Sequence, residues 1–347
     1  MQTFKYFCRI PTESEKYMSR CLTLAKKGLG HVSPNPLVGC VVVYDGRIIS
    51  EGFHKQYGGP HAEVNAINAL EEHEILKSST VYVNLEPCAH QGKTPPCASL
   101  LIEKQVSKVV IGMKDPYHEV SGKGIQMLLD AGIEVETGVL EKSCIELNKR
   151  FICNQNQKRP YVILKWAESL DGFIGQQEKI QISGLKAQTI LHEWRTQEDA
   201  FMIGTNTLIK DNPKLSVRLV EGRQPIRVAI DFYNRTKEMP LNFKDGSQKT
   251  ILLNHAIESV SNNIQYAKIK DKSPRVILDK LWELNIGSVV VEGGAQLLNS
   301  FISAGIYDEI RVFKSKSIHL KQGIKAPQLD LDPKSEFDLE NDFLISY

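Results

Sequence analysis

Apolar residues in the first half of the chain come in short runs separated by stretches of helical spacing. VGCVVVYDGRIISEGF (38–53) reads as two strands folded back at Asp45-Gly46, a dipeptide suited to a tight hairpin turn. HAEVNAINALEEHEILK (61–77) has helical spacing, and TVYVNLEP (80–87) reads as a strand. CASLLIEKQ (97–105) predicts a helix, KVVIGM (108–113) a strand, and GIQMLLDAG (124–132) a helix stopped by glycine. Strands alternating with helices predict a layered α/β domain. The polar stretch NQNQKRP (154–160) then interrupts the pattern, and YVILKWAES starts a new one. We place a boundary near residue 153, which divides the chain into domains 1–153 and 154–347. In the second, helices at 186–197 and 274–284 are interleaved with strands at 199–203, 226–231, 249–253 and 287–292. A further helix follows Gly293-Gly294. From Phe313 onward the pattern is too weak to place strands.

The chain's 347 residues exceed what one domain usually holds. Hydrophobic residues at 41% and charged residues at 24% fit an ordinary globular protein. A formal net charge of +2, without a long basic block, argues against a large nucleic-acid footprint. Small anionic substrates need only a few local cations and stay possible. The opening MQTFKYFCRIPTESEK lacks the apolar core of a secretory signal, and no apolar run approaches the ~20 residues of a membrane helix. The expected location is the cytoplasm, with no membrane partner. Seven cysteines, an odd number, argue against a disulfide framework and towards metal binding or catalysis.

His61, Cys88 and Cys97 offer two thiolates and an imidazole, a donor set that suits tetrahedral zinc with one position open. Each cysteine stands where a strand or loop gives way to helix-like sequence, and helix N-termini favour thiolates. Glu63 lies two residues after His61. In an ideal helix the two side chains diverge by about 200°. They converge only if His61 lies in a non-ideal first turn, which Gly58-Gly59-Pro60 marks. A carboxylate at the open position takes a proton from water and delivers it to a leaving amine, the chemistry of hydrolytic deamination. Each motif alone is ordinary: His-x-Glu is commonly a solvated helix start, and two cysteines nine apart are commonly unrelated buried thiols. His90 offers a fourth ligand, so a closed, non-catalytic zinc module that binds a partner is one rival. A nucleic-acid-editing deaminase is another, and the near-neutral composition disfavours it.

HAE followed by two PC dipeptides resembles the zinc nucleobase deaminases, although eight residues here separate the cysteines where those have two. HAEVNA, LEPCAHQGKTPPC, PNPLVGC and SGKG together resemble the bifunctional riboflavin-biosynthesis deaminase/reductase family, over about Tyr17 to Asp308. The resemblance implies a cytidine-deaminase-like αβα sandwich followed by a dihydrofolate-reductase-like α/β domain. It implies one zinc on His61, Cys88 and Cys97, with Glu63 as proton shuttle. It also implies that Asn35, His54, His90 and Lys93 hold the aminopyrimidine or its ribose phosphate. An asparagine offers both donor and acceptor to a pyrimidine edge, and a lysine offers charge to a phosphate.

In the second half, VVVEGGAQLLNSF (289–301) reads strand, Gly-Gly, helix, a turn that lets a phosphate approach free N–H groups. No G-x-G-x-x-G follows a strand, so a Rossmann domain is not indicated. SLDG, IGTNTL and EGGAQL resemble the reductase half of the same family, which implies NADPH as cofactor. Ala167, Thr207, Asp211, Gly294, Ala295, Gln296, Leu297, Leu298, Asn299 and Ser300 match its cofactor positions. Lys165, Arg195, Leu215, Arg218 and Glu292 match substrate positions. Gln181 replaces the family's usual tryptophan in the loop after SLDG, at a cofactor position, and Lys179 falls on a substrate-contacting serine. After Val312, FKSKSIHLKQG departs from the family's Pro-x-Leu-Leu-Gly pattern. The resemblance further implies small pyrimidine ribose-phosphate substrates and a homo-oligomer built through the reductase half.

Overall fold

The computed structural model describes residues 10–89, 95–117 and 121–347. The chain forms two compact units, Met1–Asn156 and Gln157–Tyr347. In the first, α1 (Glu13–Ala25) precedes a hairpin of β1 (Gly39–Tyr44) and β2 (Arg47–Phe53). Asp45 and Gly46 make its turn with φ of +48° and +68°. Both values are positive, as a type I′ turn requires. There follow α2 (Ala62–Ile67), β3 (Thr80–Val83), α3 (Cys97–Glu103), β4 (Lys108–Ile111), α4 (Lys123–Asp130), β5 (Glu134–Thr137), α5 (Glu141–Leu147) and α6 (Lys149–Gln157). The sheet order is β2-β1-β3-β4-β5, antiparallel around β1 and parallel from β3 onward.

Two glycines set the helices against this sheet. Gly52 pairs with Cys40, so it shares that residue's face, and Gly39 points to the other. A Cβ on Gly39 would lie 2.1 Å from the Cys21 carbonyl in α1. One on Gly52 would lie 2.4 Å from the Ala62 carbonyl and Ala66 amide in α2. The bare faces therefore let α1 and α2 pack closely on opposite sides, around a core that includes Met18, Val41, Val81, Val109 and Leu128.

The helix expected over 61–77 is shorter in the structure. Helix α2 buries Ala62, Ala66 and Ile67, and continuing that face would turn Glu71 and Glu74 inward. The chain instead leaves the helix and re-enters at a 3₁₀ turn, Glu74–Ser78, which buries Leu76. The polar residues 154–157 do not form a loop. They make the end of α6, and Asn154 is buried there.

The second unit contains β6 (Tyr161–Glu168), β7 (Phe173–Gly175), α7 (Leu185–Gln197), β8 (Ala200–Gly204), α8 (Thr205–Asp211), β9 (Ile226–Ile230), β10 (Thr250–Asn254), β11 (Ser259–Ser261) and β12 (Ile264–Lys268). It continues with α9 (Pro274–Glu283), β13 (Ser288–Gly293), α10 (Ala295–Ala304), β14 (Glu309–Ser315), β15 (Ile324–Lys325), β16 (Ser335–Asp338) and β17 (Asp342–Ser346). Ten strands form one sheet in the order β11-β12-β10-β9-β8-β13-β6-β14-β17-β16. The seven from β12 to β14 run parallel, and antiparallel strands border them. Parallel strands buried on both faces are continuous apolar runs, as in VVV of β13. Their carboxyl ends share one edge, where α/β sheets place ligands.

Candidate active sites

His61 is the N-cap of α2, with extended φ and ψ of −71° and 167°. It therefore lies outside the helix, which is how its side chain converges with that of Glu63 in the first turn. Cys97 is the first residue of α3, behind Pro96. Cys88, contrary to the sequence expectation, begins no helix; it lies in the loop after β3. The start of α3 serves it nonetheless, because the Cys97 amide donates to Cys88 Sγ at 3.2 Å. His61 Nδ1 lies 3.5 Å from Cys88 Sγ and 3.3 Å from Cys97 Sγ. Ligand atoms on a tetrahedral zinc are spaced by about 3.6–3.8 Å, so the three side chains fit that ion after small adjustments. Hydrogen bonds from Cys97 and His61 pull the Cys88 thiol well below its ordinary range. Cys97, beside that charge and buried, is pushed up.

Glu63 is only 3% exposed. Burial, and then the neighbouring Cys88 charge, pushes its carboxyl up to about 7. A carboxyl titrating near neutrality can both take and give a proton. Beside it, His54 Nδ1 faces the Pro60 carbonyl at 3.0 Å and donates to it. His54 Nε2 is left to accept from Asn35 Nδ2 at 3.0 Å. Burial lowers the His54 pKa, in keeping with a ring nitrogen that accepts a hydrogen bond. Its ring lies 5.5 Å from that of His61. Asn35 and His54 are thus adjacent to each other and to the metal-ligand set. His90 and Lys93 lie outside the described residues.

In the second unit, a cleft of about 1160 Å³ opens at the carboxyl ends of the parallel strands. Every residue expected at the reductase site lines it except Leu298, whose side chain is buried in the core beneath α10. Glu292, at the end of β13, lies 3.5 Å from Lys165 and 3.3 Å from Arg195. Burial alone would raise the Glu292 pKa, but Arg195 and Lys165 outweigh it and hold it down. Burial lowers that of Lys165. Arg195 Nε is buried without a hydrogen-bond partner. Helix α10 starts at Gly294 with no capping side chain, so its first amides are free. A Cβ on Gly294 would approach Thr207 Oγ1 to 3.2 Å, so the turn is tight against α8. Gln181 does not stack in the cleft; its amide donates to the Ser183 carbonyl and hydroxyl at 3.1 Å. Lys179 reaches the Asp211 carbonyl at 3.4 Å.

The cytidine and deoxycytidylate deaminase zinc-binding region matches residues 11–113, and the RibD C-terminal domain matches 160–315. The riboflavin biosynthesis protein RibD of Actinobacillus pleuropneumoniae is 40% identical over 329 residues, 90% of this chain and 86% of its own. The chain belongs to the RibD family. RibD of Aquifex aeolicus is 39% identical over 91% of this chain and 90% of its own length. A crystal structure from Thermotoga maritima has a TM-score of 0.88 at 38% identity, covering 96% of this chain and 98% of its own. That protein is described as a diaminohydroxyphosphoribosylaminopyrimidine deaminase/5-amino-6-(5-phosphoribosylamino)uracil reductase. The first unit is accordingly cytidine-deaminase-like and the second is the dihydrofolate-reductase-like domain of RibD.

Sequence reading missed several residues that hold these RibD sites in place. Glu86, in the LEPC stretch, accepts from four amides around the start of α4: Asp115 at 3.1 Å, Gly122 and Gly124 at 2.9 Å, and Ile125 at 3.3 Å. Asn84 and Asn148 clamp the segment after Asn35, through Gly39 N at 2.7 Å and Leu37 N at 2.8 Å. In the cleft, His192 Nδ1 accepts from the amides of Arg218 at 2.9 Å and Leu219 at 3.4 Å. Burial, then Arg195 and Arg218, lowers its pKa to about 4. His192 thereby seats the backbone of one expected substrate residue beside another. A histidine on a helix of mixed polarity carries no sequence signal for that task.

Proposed function

We propose that the chain is a bifunctional enzyme of riboflavin biosynthesis. The first unit removes an amine by hydrolysis from 2,5-diamino-6-ribosylamino-4(3H)-pyrimidinone 5′-phosphate. The second reduces the ribosyl group of 5-amino-6-(5-phosphoribosylamino)uracil to ribityl. The observation that carries the proposal is the His61–Cys88–Cys97 set with a buried carboxylate, Glu63, against it. A zinc that only holds structure needs no such group, which disfavours the closed-module reading.

In this reading His61, Cys88 and Cys97 would hold one zinc, which would supply Lewis acidity to make water reactive at neutral pH. Glu63 would take a proton from the attacking water and pass it to the departing amine. Asn35 and His54 orient the pyrimidine edge, and His90 and Lys93 hold the rest of the substrate. The turn at Gly294 and the first amides of α10 would hold NADPH, which would supply hydride to the reductase half. Lys165, Arg195 and Glu292 position the substrate, with Arg218 and Leu215 beside them; Ala167, Thr207 and Asp211 line the cofactor's side. Glu292 offsets two buried cations, which keeps this end of the cleft from holding a large uncompensated charge. No helix among the described residues is long and apolar enough to cross a membrane. The proposal includes the cytoplasm as compartment and a homo-oligomer through the reductase half. The uncovered edge strand β16, with Phe337 exposed, supports the latter.

The test is to incubate the protein with the diaminopyrimidine phosphate, with and without NADPH, and identify products by mass. Deaminated product without NADPH, and ribityl product with it, are expected. An unchanged substrate would sink the deaminase half. A deaminated product that persists with NADPH would sink the reductase half.

A further inference from the structure

One stretch of the reductase cleft's wall comes from the end of FKSKSIHLKQG and the residues just after it, which no role above uses. Ile324 lines the cleft and is 47% exposed; Ile180 lines it and is 39% exposed. Ile174 and Ile182 line it as well. Between these positions the chain is polar, with Gln176, Glu178, Lys179 and Gln181, so the aliphatic side chains are not the by-product of an apolar segment. Strand β15 brings Ile324 there by pairing antiparallel with β7, Ile324 opposite Gly175 and Lys325 opposite Phe173. The approach is close. A Cβ on Gly323, whose φ is +145°, would lie 2.2 Å from the Gly175 carbonyl.

A single carboxylate anchors this stretch. Asp171, in the SLDG turn, accepts from the Leu320 amide at 3.1 Å through Oδ1 and from the Lys321 amide at 2.8 Å through Oδ2. The Ser169 hydroxyl donates to Oδ1 at 2.6 Å and accepts from the Phe173 amide at 3.0 Å. The Leu170 amide donates to the Ile318 carbonyl at 2.8 Å, and the Ala326 amide to the Gly172 carbonyl at 2.9 Å. Both ends of the 318–326 stretch are therefore tied to the turn between β6 and β7. Strand β6 carries Lys165 and Ala167 towards that turn. Past Gly175, Lys210 of α8 donates to the Gln176 carbonyl. The aliphatic wall thus stands between Lys165, an expected substrate position, and the helix that carries Thr207 and Asp211, expected cofactor positions. Hydride transfer requires the two ligands to meet. The parts that meet are the dihydronicotinamide and the pyrimidine beside the ribosyl carbon, and both are flat rings.

We propose that Ile324 is a ligand-contacting residue of the reductase, whose side chain packs on a flat, uncharged heteroaromatic ring, and that Asp171 is the positioning residue that holds it there. The dihydronicotinamide and the pyrimidine share the chemistry such a wall recognises: a ring face without charge that gains by covering exposed aliphatic surface. Asp171 acts only through the backbone of Leu320 and Lys321. An asparagine in its place keeps one acceptor but turns an N–H group towards the second amide. The inference rests on the reductase reading and deepens it with two residues outside the expected substrate and cofactor positions.

Steady-state reduction of the deaminated pyrimidine phosphate by the full-length protein, followed by the loss of NADPH absorbance with each ligand varied in turn, tests both roles. Ile324→Ala raises KM by about tenfold, as expected for losing part of a covered aliphatic side chain, with little change in kcat. A rise for NADPH assigns the contact to the dihydronicotinamide, a rise for the substrate assigns it to the pyrimidine, and a rise for both places Ile324 where the rings meet. Ile324→Leu keeps the unaltered KM. Asp171→Asn raises the same KM as Ile324→Ala, and the double variant is no worse than Ile324→Ala alone, because the carboxylate works through that side chain. Independent structural damage would instead multiply the two factors. Both side chains are exposed, so the variants fold, which circular dichroism verifies. Unchanged KM for both ligands in Ile324→Ala overturns the contact. Unchanged KM in Asp171→Asn, or multiplied factors in the double variant, overturns the positioning role. If the unaltered protein oxidises no NADPH with this substrate, the reductase reading itself falls, and this inference with it.

Discussion

Glu63 combines near-complete burial with a position beside a metal-ligand set, and His61 shows how two neighbouring residues of a helix start come to face one point. Glu63→Gln preserves shape but cannot carry a proton, so deamination falls by about 10² to 10⁴. Zinc content, by metal analysis, and reduction of the deaminated substrate stay at the unaltered level. Near-normal deamination would reduce Glu63 to a helix-start carboxylate. His192 makes a second prediction at this scale. Its pKa falls from 6.5 to about 4 in the folded protein. Between those values the unfolded chain holds the proton and the folded chain does not. The contribution to stability is therefore complete above pH 6.5 and is lost as pH falls towards 4. Melting temperatures measured across this range decline more steeply for the unaltered protein than for His192→Asn, which keeps an acceptor but cannot titrate. Parallel profiles would exclude the effect. The metal set and Glu63 were legible in sequence because their residue types are uncommon together and close in the chain. Glu86, Asn84, Asn148 and His192 were not, because each acts on backbone groups that only the fold brings to it.

Legibility of the elements followed burial. The hairpin at Asp45-Gly46 and the strands of the parallel sheet showed clearly, since a turn dipeptide and continuous apolar runs are local signals. The helix over 61–77 was overextended because helical spacing does not reveal which face must stay buried; Glu71 and Glu74 end it. The strands after Phe313 were illegible for the opposite reason. Strand β16 borders the sheet, buries none of its residues, and so carries no alternation. Close approach is also silent in sequence until the partner is known. Gly52 shows this: its missing side chain is where α2 lies. Gly52→Ala places a methyl 2.4 Å from two backbone atoms of α2, the element that carries Glu63 and starts at His61. Overpacking of this kind costs about 1–3 kcal/mol. Calorimetry will show a lower melting temperature. Zinc content and deamination will fall together, while reduction is unchanged. A variant that loses stability but keeps full deamination would mean that α2 can shift without moving its first turn.

At the scale of the molecule, each unit has its own core, one drawn from Tyr17 to Cys144 and the other from Val162 to Ile345. Removal of zinc by a chelator is therefore expected to abolish deamination and leave reduction of the deaminated substrate intact, with products again read by mass. Loss of both activities would show that the second unit depends on the metal. Separate cores also have a genetic meaning. Take one chain carrying Glu63→Gln and another carrying Gly294→Val, whose side chain would crowd the turn against Thr207. Neither alone converts the starting compound to the final one. Mixed, they will do so whenever the intermediate is released, because each supplies the step that the other lacks. Inactivating alleles of this gene would then sort into two complementation groups divided near residue 156, with rescue across that line and none within it.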